Sequence, residues 1–188
     1  MLIKICGITT LEAAIAAERA GADFIGFVFA KSKRQISIAQ ATKIARHVNI
    51  PIVGVFVNES VETMNKIARE VPLAYIQLHG EETIATAQKL NFPVIKAFAH
   101  DAITPNFPAA YTLIDNTTPG AGIAYSYEKV ILPPRCFLAG GISLTNVDQV
   151  LRCQPAGIDV SSGVETNGQK DPEKIQQLIA YVRSQTNV

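Results

Sequence analysis

The chain has 188 residues, of which 48% are apolar and 18% charged, a composition typical of a folded globular domain and too apolar for a disordered chain. Its 17 Lys and Arg nearly balance its 16 Asp and Glu, so the formal charge of +1 argues against a nucleic-acid partner, which requires clustered positive charge. The longest apolar runs, such as residues 50–57, are far shorter than the roughly 20 residues of a transmembrane helix. We therefore expect no membrane partner, and the first residues do not resemble a secretory signal.

Cysteine usage bears on the cellular compartment. The three cysteines, Cys6, Cys136 and Cys153, are odd in number and widely spaced. They form neither a disulfide framework nor a metal-ligand spacing. We expect a cytoplasmic protein with free thiols and without a metal site.

Eight short runs rich in β-branched and aromatic residues predict strands. In chain order they are Leu2–Cys6, Phe24–Phe29, Ile52–Val57, Ala74–Leu78, Val94–Phe98, Tyr111–Asp115, Cys136–Ala139 and Gly157–Val160. From the first start to the last there are seven steps of about 22 residues each, close to the shortest length that a parallel crossover allows.

Amphipathic stretches between the runs predict helices over Thr10–Ala20, Ile38–His47, Val61–Glu70, Glu81–Leu90, Leu144–Arg152 and Pro172–Ser184. Their predicted N-caps include Thr9, Ser37, Ser60 and Asp171. Glu81 and Glu82 would favour the start of the fourth helix through its dipole. The fifth and sixth connections are rich in Pro and Gly and predict weak helices, with a short candidate near Ser126–Val130.

Strands that alternate with helices indicate a parallel sheet. An open doubly wound sheet usually has fewer strands and often has a G-x-G-x-x-G turn after the first strand, which this chain lacks. Eight near-equal units favour a closed (β/α)8 barrel. We expect one compact barrel domain over residues 1–188, with little chain left for lids.

Polar side chains concentrate toward the carboxyl ends of the predicted strands, where (β/α)8 barrels carry their active sites. They are Lys4, Cys6, Gln77, His79, Lys96, Asp115, Asp159, Ser161 and Ser162. Each has an ordinary structural interpretation: a buried cysteine is usually packing, a terminal aspartate usually forms a turn, and the two lysines could pair with Asp115 or Asp159 inside the barrel. The basic segment 31–34 is typical of a solvated loop. It is their convergence at one rim that favours a functional site.

Two glycine-containing turns suggest the ligand class. Gly140 and Gly141 follow the seventh strand, and Ser161, Ser162 and Gly163 follow the eighth. In (β/α)8 barrels the loops after these strands commonly bind phosphate, since backbone N–H groups can approach the anion closely. The alternative is that these glycines only form tight turns. A third loop, residues 119–122, could help to enclose the ligand.

Several motifs, in order and spacing, resemble the phosphoribosylanthranilate isomerase family over nearly the whole chain. The most specific are K-I-C-G-I-T at 4–9 and D-V-S-S-G-V-E at 159–165, and further matches lie at 26–29, 32–34, 54–58, 77–81, 113–115 and 138–142. The resemblance implies a (β/α)8 barrel of tryptophan biosynthesis that works without a cofactor. Its reaction is an Amadori rearrangement of N-(5-phosphoribosyl)anthranilate to 1-(2-carboxyphenylamino)-1-deoxyribulose 5-phosphate.

The resemblance also implies roles for individual residues. Cys6 would be the general base at C2 of the ring-opened sugar, and Asp115 the general acid at the furanose oxygen. The implied substrate-binding residues are Arg34 near the anthranilate carboxylate, Asp159 at the ribose hydroxyls, His79 at the rim without a defined role, and Gly122. The implied phosphate-binding residues are Gly140, Gly141, Ser161, Ser162 and Gly163.

The loop after the sixth strand departs from the family pattern. Ile123 replaces the usual polar residue, and Tyr125, Ser126 and Tyr127 replace F-D-W. This departure is the sole support for a non-catalytic phosphosugar-binding barrel. A related phosphosugar isomerase is the other alternative, which Cys6 and the short chain disfavour. We expect a small phosphoribosyl substrate and a monomer.

Overall fold

The computed structural model of the protein describes residues 1–104, 106–116, 124 and 126–186. Eight parallel strands close into one barrel in chain order, which confirms the predicted fold class. The strands are β1 (Leu2–Cys6), β2 (Phe24–Val28), β3 (Ile52–Phe56), β4 (Tyr75–Leu78), β5 (Val94–Ala99), β6 (Tyr111–Asp115), β7 (Cys136–Leu138) and β8 (Gly157–Val160). A small antiparallel hairpin, β9 (Glu165–Thr166) and β10 (Gln169–Lys170), follows β8 and was not predicted.

The helices are α1 (Leu11–Ala20), α2 (Ile38–Ala45), α3 (Val61–Glu70), α4 (Ile84–Gln88), α5 (Val147–Arg152) and α6 (Pro172–Thr186). Ser37 and Ser60 cap α2 and α3 as predicted, each accepting a backbone N–H from the residue three positions on. Asp171 accepts two N–H groups at the start of α6. The predicted cap Thr9 is wrong, because Thr10 has the extended backbone and accepts the N–H of Ala13.

The fourth helix is shorter than predicted and begins after Thr83. Glu82 therefore lies outside the helix, and its carboxylate turns inward. It accepts the backbone N–H groups of Asn58 at 2.8 Å and Gly80 at 2.9 Å and pairs with Lys96 at 3.0 Å. A buried ammonium without a counter-ion is strongly destabilising, whereas the dipole of a short helix stabilises a carboxylate only weakly. The ion pair with Lys96 therefore determines where Glu82 lies.

In the described parts of the fifth and sixth connections the structure agrees with the predicted weak helices. Among the described residues, those between β5 and β6 contain no helix, and those between β6 and β7 contain a single 3-10 turn at Tyr127–Lys129. No helix in the described part of the chain is both long and apolar enough to cross a bilayer.

The barrel interior is apolar at the amino ends of the strands. Phe24, Tyr75, Tyr111 and Phe137 meet there edge to face, with ring centroids 5.2–6.3 Å apart. Val53, Ile95 and Leu113 belong to the same buried cluster. Since this cluster closes the lower part of the barrel, the polar interior residues lie nearer the carboxyl ends.

Candidate functional site

A buried ion pair joins β1 to β8 inside the barrel. Lys4 Nζ donates to Asp159 Oδ1 at 2.9 Å, and the two residues are register partners on adjacent strands. The Lys4 side chain is fully buried. Burial alone would lower the pKa of Lys4, but Asp159 and Cys6 outweigh it and raise this pKa above its ordinary value. The ammonium therefore stays charged beneath the rim.

The second lysine expected inside the barrel, Lys96, does not lie there. Ile95 and Ala97 on either side of it face the interior cluster, so the two-residue period directs Lys96 outward. It pairs with Glu82 and donates to the carbonyl of Gly80 at 2.5 Å. The structural alternative in which Lys96 pairs with Asp115 or Asp159 is therefore wrong for this lysine, whereas Lys4 does pair with Asp159.

Cys6 ends β1 two residues beyond Lys4 and therefore shares its face. A side chain at Gly26 would place its Cβ 2.9 Å from Cys6 Sγ and 3.2 Å from Lys4 Nζ, so the glycine on β2 makes room for both groups. Burial raises the pKa of the Cys6 thiol, and the charge and hydrogen bond of Lys4 only partly oppose this. The free protein accordingly holds a neutral thiol that a neighbouring cation can help to ionise.

Three polar side chains from β4, its following loop and β6 form a second group. Gln77 Nε2 lies 2.9 Å from His79 Nδ1, and His79 Nε2 lies 3.4 Å from Asp115 Oδ2. Asp115 also accepts the backbone N–H of Asn116 at 2.7 Å. The Tyr127 hydroxyl donates to the carbonyl of Gly140, and burial together with the Asp115 charge raises the pKa of Tyr127 to about 12. These contacts hold Asp115 at the rim beside a histidine.

Arg34 makes a bidentate pair with Glu165. Its Nε and Nη2 lie 2.6 Å and 3.1 Å from the two carboxylate oxygens, while Nη1 has no partner among the described residues. Lys170 also donates to Glu165 at 2.6 Å and to both oxygens of Ser161. Burial would raise the pKa of Glu165, but Arg34 and Lys170 together lower it. The hairpin thus positions the Glu165 carboxylate, which fixes the Arg34 guanidinium at the rim of the barrel.

The two glycine turns expose backbone donors. Gly140 and Gly141 have φ values of +93° and +67°, which favour glycine. At Gly163 a Cβ would lie 1.9 Å from the carbonyl oxygen of Ile142, so the two turns pack closely only because this residue is glycine. The N–H groups of Gly141, Ser162 and Gly163 donate to no acceptor within the described residues. Clustered N–H donors of this kind suit an anion.

These groups enclose one cavity of about 240 Å³. Nine of the predicted site residues line it: Cys6, Arg34, His79, Asp115, Asp159, Gly140, Gly141, Ser161 and Ser162. Gly163 is not among its lining residues, and Gly122 falls outside the described residues. A second cavity of about 660 Å³ adjoins it and shares the lining residues His79 and Asp115. Its lining also includes Thr104 and Asn116, which are next in sequence to residues outside the described part of the chain.

The sequence reasoning did not single out Glu165 or Lys170. Glu165 is the last residue of the motif at 159–165, and its place in that motif could have marked it as a site residue. Lys170 gives no signal of its own, because it reaches Ser161 and Glu165 only through the unpredicted hairpin.

A closed barrel with a thiol, a carboxyl group and a histidine around one rim cavity defines a (β/α)8 enzyme of the acid–base type. A family model described as N-(5'phosphoribosyl)anthranilate (PRA) isomerase matches residues 3–181. The chain belongs to this family.

Curated and solved relatives agree with this assignment. The chain is 42% identical to the N-(5'-phosphoribosyl)anthranilate isomerase of Listeria welshimeri, over 95% of this chain and 96% of the relative. The crystal structure of the Thermus thermophilus isomerase matches with a TM-score of 0.91 at 37% identity, covering 98% of this chain and 100% of that one. A further isomerase structure, solved in complex with reduced 1-(o-carboxyphenylamino)-1-deoxyribulose 5-phosphate, has a TM-score of 0.80 at 32% identity and covers 98% of this chain and 99% of that one.

Proposed function

We propose that the chain isomerises N-(5-phosphoribosyl)anthranilate to 1-(2-carboxyphenylamino)-1-deoxyribulose 5-phosphate without a cofactor, with Asp115 as general acid and Cys6 as general base. One observation carries this assignment of roles. Cys6 on β1 and Asp115 on β6 line the same cavity from strands three steps apart around the barrel. An acid and a base so arranged can act on different faces of one bound sugar.

The first step opens the ring. Asp115 gives its proton to the furanose oxygen while the bond from that oxygen to C1 breaks. The lone pair of the anthranilate nitrogen forms a double bond to C1, so the product is an open-chain iminium cation. The acid becomes a carboxylate, and no electrons are gained or lost overall.

The second step moves hydrogen from C2 to C1. The Cys6 thiolate removes the C2 proton, and the released electron pair forms the C1–C2 double bond and neutralises the iminium nitrogen. The proton on the C2 hydroxyl then passes to Asp115, and the Cys6 thiol protonates C1. This yields the ketone and returns Asp115 to the protonated acid and Cys6 to the thiolate from which the second step began.

Cys6 must lose its proton before it can act as the base. Burial favours the neutral thiol, whereas Lys4 favours the thiolate. The iminium cation brings a second positive charge next to C2, which favours the thiolate form of Cys6 and makes the C2 proton more acidic. Lys4 in turn stays charged because Asp159 holds it.

The remaining groups suit the two anionic ends of the substrate. The N–H groups of the glycine turns and the side chain of Ser162 would hold the phosphate. Nη1 of Arg34 would face the anthranilate carboxylate while Glu165 fixes the guanidinium. Asp159 Oδ2 would accept ribose hydroxyls, since Lys4 uses only Oδ1.

The test is a coupled assay that forms phosphoribosylanthranilate in place and follows the loss of its fluorescence. We expect rapid enzyme-dependent loss, and a fall in kcat of about 100-fold or more for Cys6→Ala and for Asp115→Asn. Cys136→Ala and Asp148→Asn are the controls, because Cys136 is a buried thiol on β7 away from the cavity and Asp148 pairs with Tyr181 on the outside. Near-normal kcat in either site variant rejects that role, and binding of a product analogue without turnover would favour a phosphosugar-binding barrel.

We also propose a cytoplasmic monomer. Three unpaired cysteines fit a reducing compartment. Exposed large apolar side chains among the described residues are confined to Val57, Ile84, Ile131 and Leu144. Sedimentation should give one species near 20.3 kDa, and a species of twice that mass at micromolar concentration would contradict the proposal.

A further inference from the structure

Gln77 is a fully buried amide that the proposed mechanism does not use. It lies inside the barrel on β4, with none of its surface exposed, and its Nε2 lies 2.9 Å from His79 Nδ1. Its Oε1 is also buried and has no hydrogen-bond partner among the described residues. An apolar side chain would avoid this unpaired oxygen, so the bond to His79 is the feature that explains an amide here.

In the orientation that the amide has in the structure, the bond from Gln77 determines which nitrogen of His79 carries the proton. An amide N–H can only donate, so Nδ1 of His79 must accept, and the neutral ring then carries its proton on Nε2. Nε2 lies 3.4 Å from Asp115 Oδ2. In this arrangement the ring directs an N–H toward a carboxylate, which suits Asp115 after it has given up its proton.

The opposite arrangement suits the protonated acid. If the amide turns end for end, the ring releases its proton from Nε2 and takes one up at Nδ1 by exchange with solvent, to which 16% of the His79 side chain is exposed. Oε1 then accepts a hydrogen bond from Nδ1–H, and Nε2 of the ring becomes an acceptor. A protonated Asp115 can then donate to Nε2. Because Gln77 makes no other side-chain bond within the described residues, this turn breaks no second hydrogen bond.

We propose that Gln77 is a positioning residue whose amide, by turning end for end, sets the tautomer of His79 and so matches it to the protonation state of Asp115. His79 is the link, and its separation of 3.4 Å from Asp115 would shorten to a hydrogen bond in the substrate complex. This inference rests on the proposed role of Asp115 as the acid.

The test combines kinetics with nitrogen NMR of the histidine rings. Gln77→Met keeps the length of the side chain and removes both hydrogen-bonding groups, while Gln77→Glu keeps an acceptor and removes the donor. Wild-type protein should show Nε2 as the protonated nitrogen of His79. Gln77→Glu should move the proton to Nδ1, and Gln77→Met should give a mixture of both tautomers. We expect both variants to lower kcat at least tenfold with KM changed less than threefold.

Asn65→Met is the matched control. Asn65 is a buried amide on α3 that bonds to Lys89 and Asn91, outside the cavity. We expect this variant to lose stability without altering kcat or the His79 signals. If Gln77→Met does not fold, Gln77→Glu alone carries the test.

The outcomes separate the two claims. An unchanged His79 tautomer in the Gln77 variants, or a rise in KM with unchanged kcat, overturns the role of Gln77. A normal kcat in Asp115→Asn overturns the proposed acid instead, and the NMR signals, which require no turnover, still report whether Gln77 governs His79.

Discussion

Replacing Lys4 with methionine should destabilise the barrel strongly, because it leaves Asp159 buried without its cation. At 2.9 Å and an effective dielectric constant of about 20, the attraction between the two charges is about 6 kcal/mol. Desolvation of the ions offsets much of this in the native pair, but the variant keeps the desolvation cost of Asp159 and loses the attraction. We expect Lys4→Met to lower the free energy of unfolding by about 3–5 kcal/mol at pH 7.

The assay is urea unfolding at pH 7. Arg152→Met is the control, since Arg152 and Glu128 lie 3.6 Å apart with side chains 61% and 66% exposed. That variant should lose less than about 1 kcal/mol. Adding Asp159→Asn to Lys4→Met should restore part of the stability.

A second readout of Lys4→Met is the reactivity of Cys6. Lys4 lowers the pKa of this thiol against the effect of burial, so its removal should move alkylation of Cys6 to higher pH. A loss of stability no greater than that of Arg152→Met, together with an unchanged alkylation profile, would refute the reasoning for the pair.

Three further predictions follow from neighbouring contacts. Glu165→Gln should weaken the hold on Arg34 and raise KM roughly tenfold with a smaller change in kcat, measured in the fluorescence assay; the reverse pattern would contradict the positioning role. Gly26→Ala brings a Cβ within 2.9 Å of Cys6 Sγ and should lower kcat at least tenfold, whereas wild-type kcat would show that the thiol can move without cost. The pKa of Glu82 is lowered because the N–H of Asn58 and the Lys96 ammonium outweigh desolvation. This stabilisation is present above the unfolded pKa of about 4.3 and is lost as the pH falls through the lower folded pKa, so Glu82→Gln should flatten urea stability below about pH 5.

The fold could be predicted from the sequence because its periodicity depends on local chemistry. β1, β6 and β8 have the predicted bounds, since a turn signal or a polar residue ends each run. The start of α4 could not be predicted from the sequence. Glu82 pairs with the buried Lys96 instead of joining the first turn of the helix, and this contact forms only in the closed barrel.

The positions of the strand residues in the candidate site could be predicted, but their partners from distant elements could not. Strand alternation placed Lys4 and Cys6 on one face, and Lys4 does pair with Asp159. The same alternation applied to β5 directs Lys96 outward, because Ile95 and Ala97 face the interior. Partners that come from distant elements, such as Glu165 for Arg34, depend on the tertiary placement of a hairpin whose two strands have two residues each, too short to show a pattern in the sequence.

The central claim is that Cys6 and Asp115 act on one bound sugar at different atoms. The most direct measurement is a crystal structure of this chain with reduced 1-(o-carboxyphenylamino)-1-deoxyribulose 5-phosphate, the ligand of one solved relative. We predict Cys6 Sγ within about 3.5 Å of the C1–C2 edge and the Asp115 carboxyl group within hydrogen-bond reach of the oxygen on C4. A bound analogue with either group beyond the reach of one bridging water would contradict the account.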